Sequence, residues 1–469
     1  MKSLLNVYLV ALLLGGVFLT GGIQYARGQS STNVTGILGS DTTWTIAGSP
    51  YVFTGPVGIG EGATLTVDPG VTVNMGSYYL IVNGTLQAKG TGDNPVYFNV
   101  GTTGMLNPVT LNYAITFNPS SSSWNEQTAS GCIIQNAVLN GTTIAINGAS
   151  PKIFNDTIDG SIRIRGDYPI GTPIISNNTI TAIIRPWGVP DVPIEDDSMD
   201  YTIITNNTLT NFPQTATTIG LSPGVNNIVS GNVIFDSYFG ISGGRTDAVI
   251  SNNIITNCQI GIAFNTADNG SVIENNLITN CYQTAITLSS GPLTIRNNTI
   301  ANSSVAIQPS AASTIIFNNI ENNNQTITLA GVSIDINATY NWWGTTNTPA
   351  INQTIHDFKN DFNLGTVLFV PFLNAPNPEA GPNASKIVLP VHPTPTIAPI
   401  PGSTPMPSQS ATSSANPSLS PSQNPTSSPT PPQPKPVGIN IYEILIAALV
   451  VLVVAFTVVI VLLMRGRRR

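Results

Sequence analysis

Histidine, cysteine and charge are all scarce in this chain. Only two histidines occur in 469 residues. That excludes a multi-histidine metal centre and leaves His356 alone, outside a Pro-rich segment, for histidine-dependent catalysis. Three cysteines, Cys132, Cys258 and Cys281, are too few for a disulfide framework. Charged residues make up 8% of the chain, against about 25% in an ordinary soluble domain. The formal net charge is −7. The acidic excess is larger through the body, because Lys2, Arg27, Arg465, Arg467, Arg468 and Arg469 sit at the two ends. An acidic body disfavours nucleic acid as a partner.

What is present instead is a recurring phrase: Asn, an aliphatic residue two places on, and often Asn again two beyond. It runs Asn136/Val138/Asn140, Asn207/Leu209/Asn211, Asn253/Ile255/Asn257, Asn276/Ile278/Asn280, Asn298/Ile300/Asn302 and Asn318/Ile320/Asn322. Asp156/Ile158, Asn178/Ile180 and Asn232/Ile234 keep its first two terms. Copies lie roughly 20 to 25 residues apart, the period of a solenoid coil. A helical repeat would need apolar positions at i, i+3, i+4 and i+7 with helix formers, whereas these segments consist of Asn, Thr, Ile and Gly. A three-residue strand between bends turns its middle side chain inward, so Val138, Ile158, Ile255 and Ile300 are expected to stack as one aliphatic ladder. Asn suits the bends because it tolerates the left-handed region, and its amides can hydrogen-bond from coil to coil.

The run SNNIITNCQIGIAF (251–264), echoed by ENNLITNCYQTAITL (274–288), resembles the parallel β-helix repeat of right-handed β-helix proteins of the pectate-lyase-like superfamily. GATLTVDPGVTVNM (62–75) with LIVNGTLQAKGTGDNPVYF (80–98) is similar to the opening coils of such domains, and Tyr340 to Leu373, with Asn360, Asp361 and Phe362, to their closing segment. The resemblance covers about 40–375. It implies an all-β, right-handed parallel β-helix solenoid but no single activity, because the superfamily spans lyases, hydrolases, adhesins and binding proteins. It makes Trp342 and Trp343 packing for the closing coil. The ligands of copper-handling relatives are missing here. The segment PAINQTIHDF, through Ile351, Ile355 and Phe358, is expected to form a short amphipathic helix over the last coil, with His356 in a structural role.

The ends give the expected location. Lys2, the apolar run Leu4 to Leu19 and the small residues to Gly28 have the pattern of a secretory signal peptide. Ile444 to Met464 is uninterrupted apolar sequence of bilayer-spanning length, followed at once by the arginines, which the positive-inside rule places in the cytoplasm. Pro390 to Pro436 is rich in Pro, Ser and Thr and reads as an extended stalk. The expected organisation is a signal peptide over 1–28, N-terminal capping and first coils over 29–130, and β-helix repeats with a closing segment over 131–375. A disordered stalk follows over 376–438, then a transmembrane helix over 439–464 and a cytoplasmic tail over 465–469. The body is then an ectodomain on a single-pass membrane anchor.

The widest gap in the ladder, from Asn178 to Asn207, holds Trp187, Asp191, Glu195, Asp196, Asp197 and Asp200, with Arg163, Arg165, Asp167 and Arg185 near in sequence. Read as an inserted loop, Glu195, Asp196, Asp197 and Asp200 offer oxygen ligands for Ca²⁺, and Trp187 with Arg185 a flat face beside a charge for a sugar ring. The competing reading is a solvated acidic loop with surface ion pairs. Sequons are frequent, Asn140, Asn302 and Asn324 among them. Asn155, Asn177, Asn206 and Asn297 precede ladder positions and are the expected outward-facing acceptors, whereas ladder Asn140 and Asn302 are candidates to point inward. Cys258 and Cys281 hold the same place in successive coils. They are close enough for a disulfide, but the dihedral that bond demands favours reduced interior thiols. The expected function is a non-catalytic surface module for extracellular glycans or surface-layer components. The alternatives are a β-helix polysaccharide lyase or glycoside hydrolase, recognised by a convergent carboxylate and Arg/Lys constellation on one long face, and a purely structural or adhesive envelope protein.

Overall fold

The computed structural model describes residues 31–382, apart from 102–112, 167–170, 183–190, 199–200, 211–216, 222–223, 268–269 and 310–312. The expected signal peptide, transmembrane helix and cytoplasmic tail, and the stalk beyond residue 382, lie outside these residues. Among the described residues no helix is long and apolar enough to cross a membrane.

Among the described residues thirty-six short strands form one continuous sheet system in which every ladder between named strands is parallel and links one coil to the next. Three strands make a coil, so the solenoid has three faces. On the first face Leu139, Ile158, Ile180, Leu209, Ile234, Ile255, Ile278, Ile300 and Ile320 stand in register. On the second face a column of isoleucines runs from Ile144 through Ile262 to Ile355, and on the third another, broken only by Val229, runs from Ile134 through Ile273 to Ile315. These columns are fully buried and form one continuous core. Burying each such side chain is worth about 1.5–3 kcal/mol, so the coils are held by repetition of one contact.

The expected ladder slips by one residue in its first copy. Leu139, not Val138, pairs with Ile158 and is buried, while Val138 is half-exposed. Strand alternation makes any one-residue shift a change of face. The position that begins the phrase in this coil is Ala137, and Asn136 is the left-handed bend before it.

Several first-face strands are bounded by two bends with positive φ. Asn252 and Asn257, Asn275 and Asn280, and Asn297 and Asn302 are such pairs. The ladder asparagines Asn253, Asn276 and Asn298 are not the bends; each follows one and points inward, fully buried. Asn178, Asn207, Asn232, Asn253, Asn276, Asn298, Asn318 and Asn341 form a hydrogen-bonded column. In each case the backbone N–H and the Nδ2 of one rung donate to Oδ1 of the next at 2.8–3.0 Å. The second Nδ2 proton goes back to an isoleucine or valine carbonyl, as from Asn276 to Ile250 at 2.9 Å. No amide in the column is left unsatisfied, which is what allows polar groups in this core. Asp156 closes the N-terminal end, where its oxygens accept from Ala137 N and Phe154 N at 2.7 and 3.1 Å.

At the C-terminal end the expected helix forms but is shorter. Asn347 caps Thr348–Gln353, accepting from Ala350 N at 3.2 Å. The helix stops there because Ile355–His356 instead pairs with the open edge of Gln325–Thr328, leaving Phe358 exposed. Trp343 is buried edge-on against Phe369, and Trp342 donates from Nε1 to Glu321 at 3.3 Å, so both tryptophans close the coil. Beyond residue 375 the chain stays bonded to the solenoid flank. Asn377 exchanges bonds with Asn319 at 2.7 and 3.0 Å, and Gly381 N donates to Asn297 O at 2.8 Å.

Candidate functional site

Glu195, Asp196 and Asp197 do not lie on an inserted loop. Ile194–Ser198 is a second-face strand paired with Thr157–Gly166, with Arg163 opposite Glu195, Ile164 opposite Asp196 and Arg165 opposite Asp197. Alternation splits the carboxylates. Glu195 and Asp197 face outward, and Asp196 enters the core between Ile164 and Leu221 at 0% exposure. A Ca²⁺ site needs several oxygens converging on one point; Glu195, Asp196 and Asp197 do not converge, and the described residues contain no group of three His, Cys, Asp or Glu that could hold a metal. Trp187, Arg185 and Asp200 lie outside the described residues.

The outward side chains make a charged patch instead. Arg163 Nη1 meets Glu195 Oε2 at 2.5 Å, Arg163 Nη2 lies 3.8 Å from Asp191 Oδ1, and Arg165 Nε lies 3.9 Å from Asp197 Oδ2. Arg165 also sits over the Tyr113 ring, 5.5 Å from its centroid. Burial pushes the Glu195 carboxyl above its ordinary range, against the pull of Arg163. Asp196 is pushed up to about 6, chiefly by burial, while bonds from Ser198 N at 3.0 Å and Ser198 Oγ at 2.5 Å hold it back.

A second surface lies at the corner between the first and second faces. Asn257, Asn280, Asn302 and Asn322 occupy this bend in successive coils, all with φ near +56°. Asn302 is exposed here, and Asn140 is exposed on its own strand, so neither points inward as expected. Cys258, Cys281 and Ser303 follow the bend inward; both cysteines are buried free thiols, and burial pushes Cys281 up to about 12. The next residues outward are Gln259, Tyr282, Ser304 and Asn324.

One coil here is a residue longer than its neighbours. Two residues separate Cys281 from Thr284, where only Gln259 separates Cys258 from Ile260 and only Ser304 separates Ser303 from Val305. Gln283 N and Thr284 N consequently share one acceptor, Gln259 O, at 2.9 and 3.3 Å. This bulge lifts Tyr282 out of the surface to 60% exposure. With small Ser304 in the following coil, Tyr282 becomes the wall of an open trough of about 510 Å³, lined by Asn280, Cys281, Tyr282, Asn302, Ser303, Ser304, Asn322 and Asn324. No charged side chain lines it. Nothing in the sequence pattern marks this trough except the extra residue between Cys281 and Thr284.

Of the expected sugar acceptors, Asn155, Asn177 and Asn206 are exposed. They are turned out by their left-handed backbone rather than by strand alternation. Asn297 is half-exposed, with its Oδ1 accepting from Asn377 Nδ2 at 3.2 Å.

Residues 192–355 match the family model of the right-handed β-helix region. No curated protein and no solved structure matches the chain. The matched span contains the acidic strand, the Asn column from Asn207 to Asn341 and the trough.

Proposed function

We propose that this right-handed parallel β-helix protein is a membrane-tethered surface module whose solenoid binds extracellular glycan without transforming it. The observation that carries the reading is the uncharged trough beside Tyr282, where an exposed aromatic ring and free amides share one surface. Aromatic faces and amide groups are how proteins hold sugars. The ion pairs of Arg163 and Arg165 favour the same reading, since each guanidinium is already matched by a carboxylate on the next coil.

The tether is drawn from the sequence: an apolar leader, a Pro/Ser/Thr stalk and the apolar run Ile444 to Met464 before four arginines. Protease added to intact cells should cut between Pro390 and Pro436 and release the body; a fully protected body would overturn this orientation.

A hydrolase is the second reading, and one observation favours it. Glu195 and Asp197 stand two residues apart on one face, near Arg163 and Arg165, and burial raises the Glu195 carboxyl as a general acid requires. The full-length chain on a glycan array, assayed in parallel for released reducing or unsaturated sugar with and without Ca²⁺, separates the two readings. Binding without release supports the module. Release that Glu195→Gln abolishes supports the enzyme, and neither signal leaves a structural envelope protein.

A further inference from the structure

We infer that the trough beside Tyr282 takes a neutral, unbranched glycan lying along the solenoid axis, with Tyr282 stacked on one sugar ring, Asn302 bonding the ring of the next coil, and Asn322 and Asn324 the ring after it. This rests on the glycan-binding reading and fixes its site and ligand class. Two kinds of asparagine occur in these coils, and their hydrogen bonding separates them. The inward Asn298 and Asn318 spend every amide proton on the column. The side chains of Asn302, Asn322 and Asn324 make no hydrogen bond among the described residues, although they lie beside the same strands. They present paired donors and acceptors to whatever enters the trough.

Direction follows from the repeat. Successive coils are about 4.8 Å apart, and the lining side chains recur once per coil, so equivalent amides line up along the axis. An extended polysaccharide advances by a similar length per sugar ring, which lets one ring face one coil. A branch at the ring held by Ser304 would meet Tyr282 on one side.

Class follows from charge. No cation lines the trough, and Arg296 is already bound to Glu274, from Nε and Nη2, at 2.7 Å. A uronic acid or sulfated sugar would lose hydration there without gaining a partner. A neutral sugar keeps its hydroxyl bonds by exchanging water for amide groups.

The test is calorimetry on the full-length chain in detergent micelles. Asn302 and Asn324 are themselves sequons, so the protein is made in a host without N-glycosylation. The probes are the neutral hexasaccharides of cellulose, mannan, chitin and starch, with hexagalacturonate as the acidic probe. The expected result is binding of at least one neutral probe, weakened tenfold or more by Tyr282→Ala and by Ser304→Trp. Tyr282→Phe should retain it, and all variants should melt like the parent. Neutral binding that these variants leave untouched would overturn the site while sparing the wider reading. Binding of hexagalacturonate alone would overturn the ligand class. Binding of no probe and of nothing on a glycan array would overturn both.

Discussion

Asn253 donates to Asn276 twice, from its backbone N–H at 2.8 Å and from Nδ2 at 3.0 Å, both into the single oxygen Oδ1. Asn276 in turn gives its own amide protons to Asn298 Oδ1 at 2.9 Å and to the Ile250 and Glu274 carbonyls at 2.9 and 3.0 Å. One side chain therefore closes bonds in three coils. Asn276→Leu should cost on the order of 3–5 kcal/mol by denaturant melting, because each buried group left unpaired costs about 1–3 kcal/mol. Asn276→Asp should be severe at neutral pH and partly recovered near pH 4, where a protonated carboxyl can again donate. Asp156 is tolerated at the column end because backbone N–H groups, not carbonyls, face its oxygens.

The aliphatic ladder makes a second, sharper contrast. Ile255 is fully buried between Ile234 and Ile278, while Thr256 beside it is turned outward. Ile255→Asp should cost several kcal/mol or abolish folding, and Thr256→Asp should shift the melting temperature only slightly. Equal melting of the two variants would contradict the register.

These positions were legible in the sequence because Asn253/Ile255/Asn257 carries both a period and a reason for each residue type. Val138 is the exception because its coil has Ala137 where the following coils have Asp156 and then Asn, so the nearest asparagine, Asn136, is a bend rather than a rung. The run Glu195-Asp196-Asp197 hid a strand because a carboxylate occupies an inward position normally filled by an aliphatic, as Ile164 and Leu221 fill it in the coils on either side. The trough was illegible for a different reason. It arises from a one-residue difference between coils, and only the paired strands show which residue is extra.

Asp196 gives the pH prediction. Its carboxyl is raised to about 6 in the fold by burial, above the unfolded value of 3.8. The native state therefore holds the proton more tightly than the unfolded chain. The stabilisation is complete below pH 4 and is lost as pH rises through about 6. The loss should be on the order of 2–3 kcal/mol between pH 4 and pH 7. Asp196→Leu, which matches Leu221 in the next coil, should flatten that part of the stability profile and raise the melting temperature at pH 8.

The sequons give the last prediction, and they divide by what surrounds each asparagine. Asn155, Asn177 and Asn206 stand at one corner of consecutive coils, exposed and turned outward with φ of +56°, +59° and +56°. A transferred glycan must leave from Nδ2 without displacing a neighbour. At Asn206 no described residue takes a hydrogen bond from Nδ2. At Asn155 only one bond, to Asn136 Oδ1 at 2.5 Å, would be exchanged. Asn297 is at the same corner farther along, but the chain returning through Asn377 and Gly381 is bonded to its side chain and carbonyl at 3.2 and 2.8 Å. Peptide mapping of the chain from a glycosylating host should find sugar at Asn206 and Asn155. Asn177 lies in the coil between them, about 4.8 Å from each, too close to be fully occupied beside either. Asn297 should be bare, and Asn377→Ala should raise its occupancy only if glycans are added after folding. Full occupancy of Asn297 in the parent would mean that the sugar is added before the closing segment docks and holds that segment off the solenoid.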